Sequence, residues 1–356
     1  MTTTGLQETA APASELRAAY AAYMAEHPGT HRRDAARALG VTEANLLVAT
    51  VDDVVRLDDN RWADLVAALP RLGRVKTMTR NEEMVIEETG VYDGIEFFGQ
   101  VGQGVAPGFD LRIFLARWGA AFAVREETPR GTRRSIQIFD TAGASVHKCF
   151  IESDEGVAAF DQLVAEFRAA EQPGSVEFTP FPPKTFRPVE EIDQEAFRKE
   201  WDGMKDTHDF FGLLGRYRIK RTDGMRIAGK ERAEQVQSDC FEKFLELVSE
   251  AGLSVMIFIG NPGMIQIYHG PVNRVVRARG WLNILEPNFN LHAKDEAIAE
   301  AWIVRKPVPE GYVTSLELYN AAGEEVAIIF SNREDGVEES DAWRQLLASL
   351  PRVEVS

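Results

Sequence analysis

The sequence lacks the features that mark several large protein classes. Its 356 residues include only two cysteines, Cys149 and Cys240, and neither stands in a C-x-x-C pair. A disulfide framework or a cysteine-based zinc site is therefore not expected. The sequence also contains no run of about 18 apolar residues, the length that a membrane-spanning helix needs. It thus predicts no membrane insertion.

The sequence also has fewer positively charged than negatively charged residues. Lysine and arginine number 40 against 56 aspartate and glutamate residues, which gives a net charge of −16. Such a surface repels phosphate backbones and disfavours nucleic acid as a partner. The polar N-terminus has no signal-peptide pattern, so we predict a cytoplasmic location. The glycine motifs of nucleotide sites and serine hydrolases are also missing.

Helical and strand-like segments alternate in a way that predicts two halves. We expect a disordered tail (1–14), an N-terminal repeat (15–170), a Pro-rich linker (171–193) and a C-terminal repeat (194–356). Helices are predicted at 15–24, 30–49, 61–72 and 157–170, and strands at 75–79, 84–87, 94–101, 109–114, 122–126, 134–139 and 146–151. The glycine-rich stretch 99–108 is predicted to be a hairpin or bulge.

The second half repeats the first at an offset of 180 residues. Segments 109–156 and 289–336 align without a gap, and many glycines, prolines and apolar residues coincide. This register indicates a tandem duplication. Helices followed by runs of strands predict an α+β fold, in which each half has helices and a large antiparallel sheet, with a cleft between the halves.

Residues 30–49 have the outline of a helix-turn-helix, with a turn at Gly40 and a second helix opened by Thr42. Two interpretations remain open here. One is a DNA-reading motif, and hence a transcription regulator. The other is a plain helical hairpin that packs on a sheet. The net charge opposes the first, and the second helix contains Glu43 but no lysine or arginine.

The stretch 201–221 places one histidine in an apolar pattern. On a helix at about 100° per residue, Trp201, Met204, His208 and Phe211 share one face. A buried neutral imidazole needs partners for its ring nitrogens. Two interpretations are open: a core histidine bonded to a carbonyl, or an imidazole directed at a metal such as haem iron.

Positions where the two repeats differ are candidates for a site present only once. Arg112 aligns with His292, Ser153 with Arg333, and Glu126 with Lys306. The last two pairs add a cation to the second half of an acidic protein. Cations that line a cleft suit an anionic ligand.

Longer stretches carry a resemblance to a known family. They are HPGTHRRDAARALGV (27–41), TRNE (79–82), DLRIFLARW (110–118), RRSIQIFDTAGASVHKCF (133–150), KDTHDFFGLL (205–214), GWLNILEPNFNLH (280–292) and AEAWIVRKPVPEGYVTSLELYNAAGEEVA (299–327). With these, the chain resembles the cytoplasmic haem-trafficking proteins of the haemin-degrading-factor family, from about residue 15 to the C-terminus. The resemblance implies haem as the bound group, held between two α+β halves.

The resemblance also implies a set of haem-contacting residues. His208 matches the proximal iron ligand, and Arg112 matches an arginine on the opposite haem face. Arg221, Lys306 and Arg333 match positions that engage propionates or line the pocket, and Phe258 and Tyr312 match pocket positions more loosely. Arginine–carboxylate pairs suit propionates.

The sequence departs from the family at three positions. Some members have a histidine after TRNE, where this chain has Ile86. Some have Gln and Tyr near Arg333, where this chain has Ile328 and Phe330. A mechanism that needs the extra histidine is therefore not expected, and the pocket is expected to be more apolar at that edge.

Plain structural roles are the alternatives for the cations. Arg112 can pair with Asp110 or Glu96, Lys306 can be a solvated strand end, and Arg221 can belong to a solvated basic turn. The other histidines lack metal-ligand spacing and are expected to be structural or on the surface.

Three functions remain open from the sequence. The first is a haem carrier that accepts imported haem, with the cytoplasmic side of a haem importer and a haem oxygenase as partners. The second is an enzyme that opens the porphyrin with an external reductant. The third is the transcription regulator. No catalytic residue is predicted.

Overall fold

A computed structural model describes residues 13–105, 109–172, 176–333 and 336–353. Within these ranges the chain forms ten α-helices and two nine-stranded sheets in which every pairing is antiparallel. The predicted α+β class with a duplicated helix-and-sheet pattern is confirmed. None of the described helices is long and apolar enough to cross a membrane.

The elements of the first half follow the predicted order, with ends that differ by a few residues, except that β1 was not predicted. They are α1 (Ala13–Glu26), α2 (Arg32–Ala38), α3 (Glu43–Thr50), β1 (Asp53–Arg56), α4 (Trp62–Ala68), β2 (Val75–Arg80), β3 (Met84–Gly90), β4 (Ile95–Phe98), β5 (Val101–Val105), β6 (Asp110–Phe114), β7 (Trp118–Thr128), β8 (Gly131–Asp140), β9 (Ser145–Ile151) and α5 (Asp154–Phe167). Residues 1–12, where a disordered tail is predicted, lie outside the described residues.

The second half begins after an extended segment, of which residues 176–193 contain only one short 3-10 turn. Its elements are α6 (Gln194–Asp202), α7 (Asp209–Tyr217), α8 (Arg221–Ala228), β10 (Ala233–Val236), α9 (Cys240–Glu250), β11 (Ser254–Asn261), β12 (Met264–Pro271), β13 (Val275–Ala278), β14 (Trp281–Glu286), β15 (Phe289–Ala293), β16 (Glu300–Val308), β17 (Gly311–Tyr319), β18 (Glu325–Ser331) and α10 (Asp341–Ala348).

The two halves exchange a three-stranded hairpin unit. The N-terminal sheet has the order β1-β7-β8-β9-β2-β3-β15-β14-β13, and the C-terminal sheet has the order β10-β16-β17-β18-β11-β12-β6-β5-β4. Each sheet therefore consists of six strands from its own half and three from the other. Two similar sheets were predicted from the sequence, but this exchange was not.

One predicted strand was wrong. The range 94–101 is not a single strand, because the chain turns after β4 and returns as β5, with Gly99 at φ +65°. That backbone conformation favours glycine over residues with a Cβ. The hairpin predicted for the glycine-rich stretch is confirmed for residues 99–105, and residues 106–108 lie outside the described residues.

The helical hairpin at 30–49 is a packing element. Thr42 caps α3 by accepting a hydrogen bond from the Asn45 N–H, and Gly40 adopts φ +68°. Five of the eight residues of α3 are buried, against α1 and the N-terminal sheet: Glu43, Ala44, Leu46, Leu47 and Ala49. A helix buried in this way cannot enter a major groove, so the structure disfavours the DNA-reading interpretation.

A chain of buried polar side chains links the two sheets. Gln266 of β12 donates to Glu88 of β3 over 2.7 Å and to Thr77 over 3.0 Å, and Thr79 donates to the Gln266 carbonyl oxygen over 2.7 Å. Thr79 also bonds His147 Nδ1 at 2.8 Å. Burial lowers the pKa of His147 to about 3, so this imidazole is neutral and serves the core.

Glu88 in this chain predicts a pH-dependent stability. Burial raises the pKa of Glu88 from 4.5 to about 7. Between those values the folded protein holds a proton that the unfolded chain has lost, so the free energy of unfolding falls as pH rises through this window. Relative to Glu88→Gln, the wild type is expected to lose roughly 3 kcal/mol between pH 4.5 and pH 8. Urea unfolding of both proteins across that range measures the difference, and parallel curves would contradict the assignment.

Candidate functional site

One face of the C-terminal sheet carries three of the seven predicted site residues. Arg112 on β6 lies opposite Ile265 on β12, and Phe258 on β11 lies opposite Ile328 on β18. Strand partners point to the same side, and the side chains of one strand alternate between sides. Arg112, Phe258 and Lys306 therefore project from the same face, although Arg112 belongs to the other half of the chain.

Helices α6 to α8 cover only one end of this face. They pack on β16 and β17 through a cluster that includes Trp201, Trp302 and Tyr319, and the Trp201 indole N–H donates to the Arg305 carbonyl oxygen over 3.0 Å. Over β18, β11, β12 and β6 the face carries half-buried side chains. We call this part the open face; its residues are Arg112, Met256, Phe258, Ile265 and Phe330.

Two buried cations lie where the helices meet the open face. Arg221 donates from Nε and Nη2 to the two carboxylate oxygens of Glu317, over 2.9 Å each, and Lys306 Nζ donates to the same carboxylate over 2.7 Å. Burial alone would raise the pKa of Glu317, but the two cations outweigh it and hold that pKa well below its usual value. We call Arg221, Lys306 and Glu317 the cation cluster.

The cation cluster corrects two of the plain alternatives. Lys306 is only 2% exposed, so it is not a solvated strand end, and the Arg221 side chain is 11% exposed, so it is not part of a solvated turn. Aromatic rings surround both. Lys306 Nζ lies 5.1 Å from the centre of the Phe210 ring and 5.6 Å from that of Phe330, which itself packs edge-on against Phe258.

Arg112 has the partner that the plain alternative suggested. Its guanidinium pairs with Asp110, whose other carboxylate oxygen lies 2.7 Å from His269 Nε2. The hydrogen bond with Asp110 raises the pKa of His269. Since Asp110 is only 7% exposed while the Arg112 side chain keeps 28% exposure, the pair presents a cation to the open face and keeps the anion below it.

The predicted surroundings of His208 were wrong. Residues 201–221 do not form one helix, because α6 ends at Asp202 and α7 begins at Asp209. Trp201 and Met204 are buried, but the His208 side chain is 85% exposed and Phe211 is 62% exposed. The imidazole therefore occupies the exposed N-terminal end of α7, two residues before Phe210, which contacts the cation cluster.

Aspartate side chains explain the break between α6 and α7. Asp209 accepts hydrogen bonds from the backbone N–H groups of Lys205 and Asp206, over 3.0 and 3.1 Å. Asp206 in turn accepts from the His208 backbone N–H over 2.7 Å. Such local acceptors compete with helical hydrogen bonds and favour helix ends. They override the apolar spacing from which a continuous helix was predicted.

Asp206 also sets the chemistry of the His208 ring. Its Oδ1 lies 2.6 Å from His208 Nδ1. The hydrogen bond from the His208 backbone N–H, followed by the one from the ring, lowers the pKa of Asp206. An ionised carboxylate only accepts, so Nδ1 carries a proton, and in the neutral ring the lone pair is then on Nε2. Among the described residues, no hydrogen bond is made to that Nε2, which makes it available to a metal.

The remaining predicted residues are placed at the edges. Tyr312 lies at the start of β17 and is 54% exposed. Arg333 follows β18, and its Nη1 donates to the Val337 carbonyl oxygen over 2.8 Å. Ile86 is fully buried in the core, so its position presents nothing to the open face.

The equivalent face of the N-terminal sheet has a different chemistry. A charged pair stands where the corresponding face of the C-terminal sheet has apolar residues: Lys76 and Glu87 occupy the positions of Met256 and Ile267. Lys148 replaces Ile328 and pairs with Glu43 over 2.6 Å. A flat apolar group on this face would remove water from these ion pairs, and the lost hydration costs free energy. Of these two equivalent faces, as far as the described residues show, the one on the C-terminal sheet offers an apolar surface beside cations.

Sequence reasoning missed Glu317, Asp206 and His269, which hold or orient the predicted residues, and it named Asp110 only as a plain pairing partner of Arg112. The 180-residue offset would have pointed to Glu317, which aligns with Gln137. A separate hollow of about 540 Å³ lies on the N-terminal half beside Trp62, Trp118 and Glu177. It includes none of the seven predicted site residues.

Comparison with known proteins covers nearly the whole chain. The family model described as the haemin-degrading HemS.ChuX domain matches residues 40–167 and 218–350. The hemin transport protein HmuS of Yersinia pestis is 37% identical over 334 residues, which are 93% of this chain and 96% of that protein.

Two solved structures are similar to this chain over most of its length. Holo-PhuS, a heme-binding protein from Pseudomonas aeruginosa, is 42% identical with a TM-score of 0.92 over 96% of this chain and 99% of that one. The heme-degrading enzyme ChuS of Escherichia coli O157:H7 is 34% identical with a TM-score of 0.86 over 95% and 99%.

Proposed function

Because the chain belongs to the family of the haemin-degrading HemS.ChuX domain, we propose that it binds haem on the open face and passes it on for iron release. The observation that carries this proposal is the His208 imidazole. Its Nδ1 is held by Asp206 at 2.6 Å, and its Nε2 is left available at the exposed N-terminal end of α7. A histidine oriented by a carboxylate is a common arrangement for metal ligation.

The described residues fit the three chemical parts of haem. The porphyrin plate needs an apolar surface, which Met256, Phe258, Ile265 and Phe330 provide. The iron needs a ligand, and His208 supplies an imidazole nitrogen. The propionates need cations, and Lys306 and Arg221 lie next to Phe330 and Phe210.

Arg112 has a separate role in this proposal. It lies on the open face with its charge supported by Asp110 and His269, and we assign it to the haem face opposite His208. There it closes the site against water or donates hydrogen bonds. Arg333 and Tyr312 line the rim.

A haem carrier in the cytoplasm is the function we favour. It would receive haem from the cytoplasmic side of an importer and deliver it to a haem oxygenase. An exposed ligand suits transfer, because a second protein can reach His208 without the core opening. The alternative is an enzyme that opens the porphyrin with an external reductant. The similarity to ChuS and the guanidinium of Arg112 on the open face favour that alternative.

Titration with haemin tests the proposal. We expect a strong Soret band that saturates at one haemin per chain, with the spectrum of a histidine-ligated iron. Absence of saturable binding would overturn the proposal. A second haemin bound with similar affinity would contradict the assignment to one sheet, because the N-terminal sheet carries ion pairs at the equivalent positions.

Product analysis separates the carrier from the enzyme. The haem-loaded protein is incubated with a physiological reductant in the presence of catalase, since free peroxide attacks haem unaided. A carrier is expected to keep its haem intact and to lose it to an added haem oxygenase. A defined tetrapyrrole product that still forms with catalase present would establish the degrading enzyme instead.

A further inference from the structure

Glu317 is the common hydrogen-bond acceptor of the cation cluster, and we call it the hub. Its side chain is fully buried and accepts five hydrogen bonds: two from Arg221, one from Lys306, one from the Ser315 hydroxyl over 3.0 Å and one from the Tyr319 hydroxyl over 2.5 Å. A buried carboxylate with this many donors is fixed in place, because each lone pair is in use. It therefore determines where both cations lie.

The N-terminal repeat has different residues at the positions of Glu317 and its partners. Gln137 aligns with Glu317 and donates to Ser135 over 3.0 Å, while its carbonyl oxygen has no partner among the described residues. Phe139 aligns with Tyr319, and Glu126 aligns with Lys306.

The counterpart of Arg221 is apolar. Thr42 lies against Gly143 as Thr222 lies against Gly323, so Val41 occupies the position of Arg221. Four positions thus differ together between the repeats. Each difference gives the C-terminal half a charge or a hydrogen bond centred on Glu317.

We propose that Glu317 is a positioning residue that holds Lys306 and Arg221 where they meet a haem propionate, and that it confines haem binding to the C-terminal sheet. This inference rests on the proposed function. Glu317 itself lies beneath the cations and need not touch the ligand.

The charge balance supports this role. Lys306 and Arg221 share the Glu317 carboxylate, and Arg221 also lies 3.6 Å from Glu325. Among the described residues Lys306 pairs with Glu317 alone, so Lys306 is the cation whose charge is available to a ligand carboxylate. Lys306 uses one of its three N–H donors on Glu317, and its ammonium group lies near the rings of Phe210 and Phe330, at the border of the open face. Without the shared acceptor, two like charges would be buried side by side and would repel each other.

The test compares haemin with its dimethyl ester, in which both propionates are blocked. In Glu317→Gln, which restores the residue of the other repeat, we expect haemin affinity to fall about 10- to 100-fold, the size of a lost charge-assisted hydrogen bond. Affinity for the dimethyl ester is expected to stay unchanged. The control Gln137→Leu changes the aligned position of the N-terminal half and is expected to leave both affinities unchanged.

Three outcomes would overturn the inference. Haemin affinity could rise, which would mean that Glu317 competes with the propionate. It could stay the same, or both ligands could weaken equally, which would indicate a general structural role. If Glu317→Gln fails to fold, Tyr319→Phe is tested instead, because it removes only one hydrogen bond to Glu317. We then expect a smaller fall in haemin affinity and an unchanged affinity for the dimethyl ester. A wild-type protein that binds no haemin would instead refute the proposed function.

Discussion

Replacement of His208 by alanine is expected to cost the protein more than about 100-fold in haemin affinity and to abolish the histidine-ligated Soret spectrum. Loss of a residue that merely orients a metal ligand typically costs about 10- to 100-fold, and loss of the ligand itself should exceed this. Because the side chain is 85% exposed and is held by Asp206 alone, the substitution leaves no cavity. Folding should therefore be unaffected, and circular dichroism checks this.

Two further variants make the His208 experiment decisive. His27 is an exposed histidine of the N-terminal half that stacks on Tyr23, so His27→Ala is expected to bind haemin like the wild type. Asp206→Ala should fall between them, with an affinity loss near 10-fold, because the ring keeps Nε2 but loses its fixed orientation. If His208→Ala retained the full spectrum and affinity, the iron ligand would have to be another residue.

The position of His208 shows what helical periodicity can and cannot predict. Helical spacing placed the ring in a buried stripe with Trp201 and Met204, and the structure places it on the surface. Asp206 and Asp209 cap the backbone locally, and such capping is not visible to a periodicity argument. The resemblance to the family, by contrast, singled out the same residue without any assumption about burial.

Lys306 was predicted as a site residue from the aligned repeats and not from periodicity, but its buried environment was not predicted. The aligned repeats singled out Lys306, since the other half has Glu126 at that position. No pattern on a single strand reveals that Lys306 is buried, because its carboxylate partner lies on β17 and its aromatic neighbours on α7 and β18. Contacts between distant elements decide whether such a residue is a solvated strand end or part of a site.

The duplication predicted the fold class but not the strand exchange. The 180-residue offset matches β6 with β15, so either strand has a suitable pattern to pair with β3 or with β12. Local sequence is therefore neutral between pairing within a half and pairing across halves. The structure resolves this choice in favour of exchange, with β15 beside β3 and β6 beside β12. The exchange is also what brings Arg112 onto the sheet that carries Lys306.

The exchange produces two hydrophobic cores that neither half can complete. Met84 and Ile86 of β3 are buried together with Leu282, Ile284 and Leu291 from the exchanged strands of the other half. In the second core, Met264 of the C-terminal half joins residues of the N-terminal half. A half on its own would expose this apolar surface and the hydrogen-bonding edge of β3 or β12 to water.

We therefore expect that neither half forms a folded monomer. Expressed separately as 1–182 and 183–356, which divides the chain between the exposed residues Pro182 and Pro183, each half should be insoluble or pair with another copy through the exchanged strands. Co-expressed, the two fragments should assemble into a 1:1 complex that binds haemin like the intact chain, because the break lies between two exposed residues of an extended segment. Light scattering, circular dichroism and haemin titration distinguish these states. A monomeric half with cooperative unfolding would contradict this expectation, because its three exchanged strands would then have folded back onto their own sheet. In that state Arg112 would no longer lie on the sheet that carries Lys306.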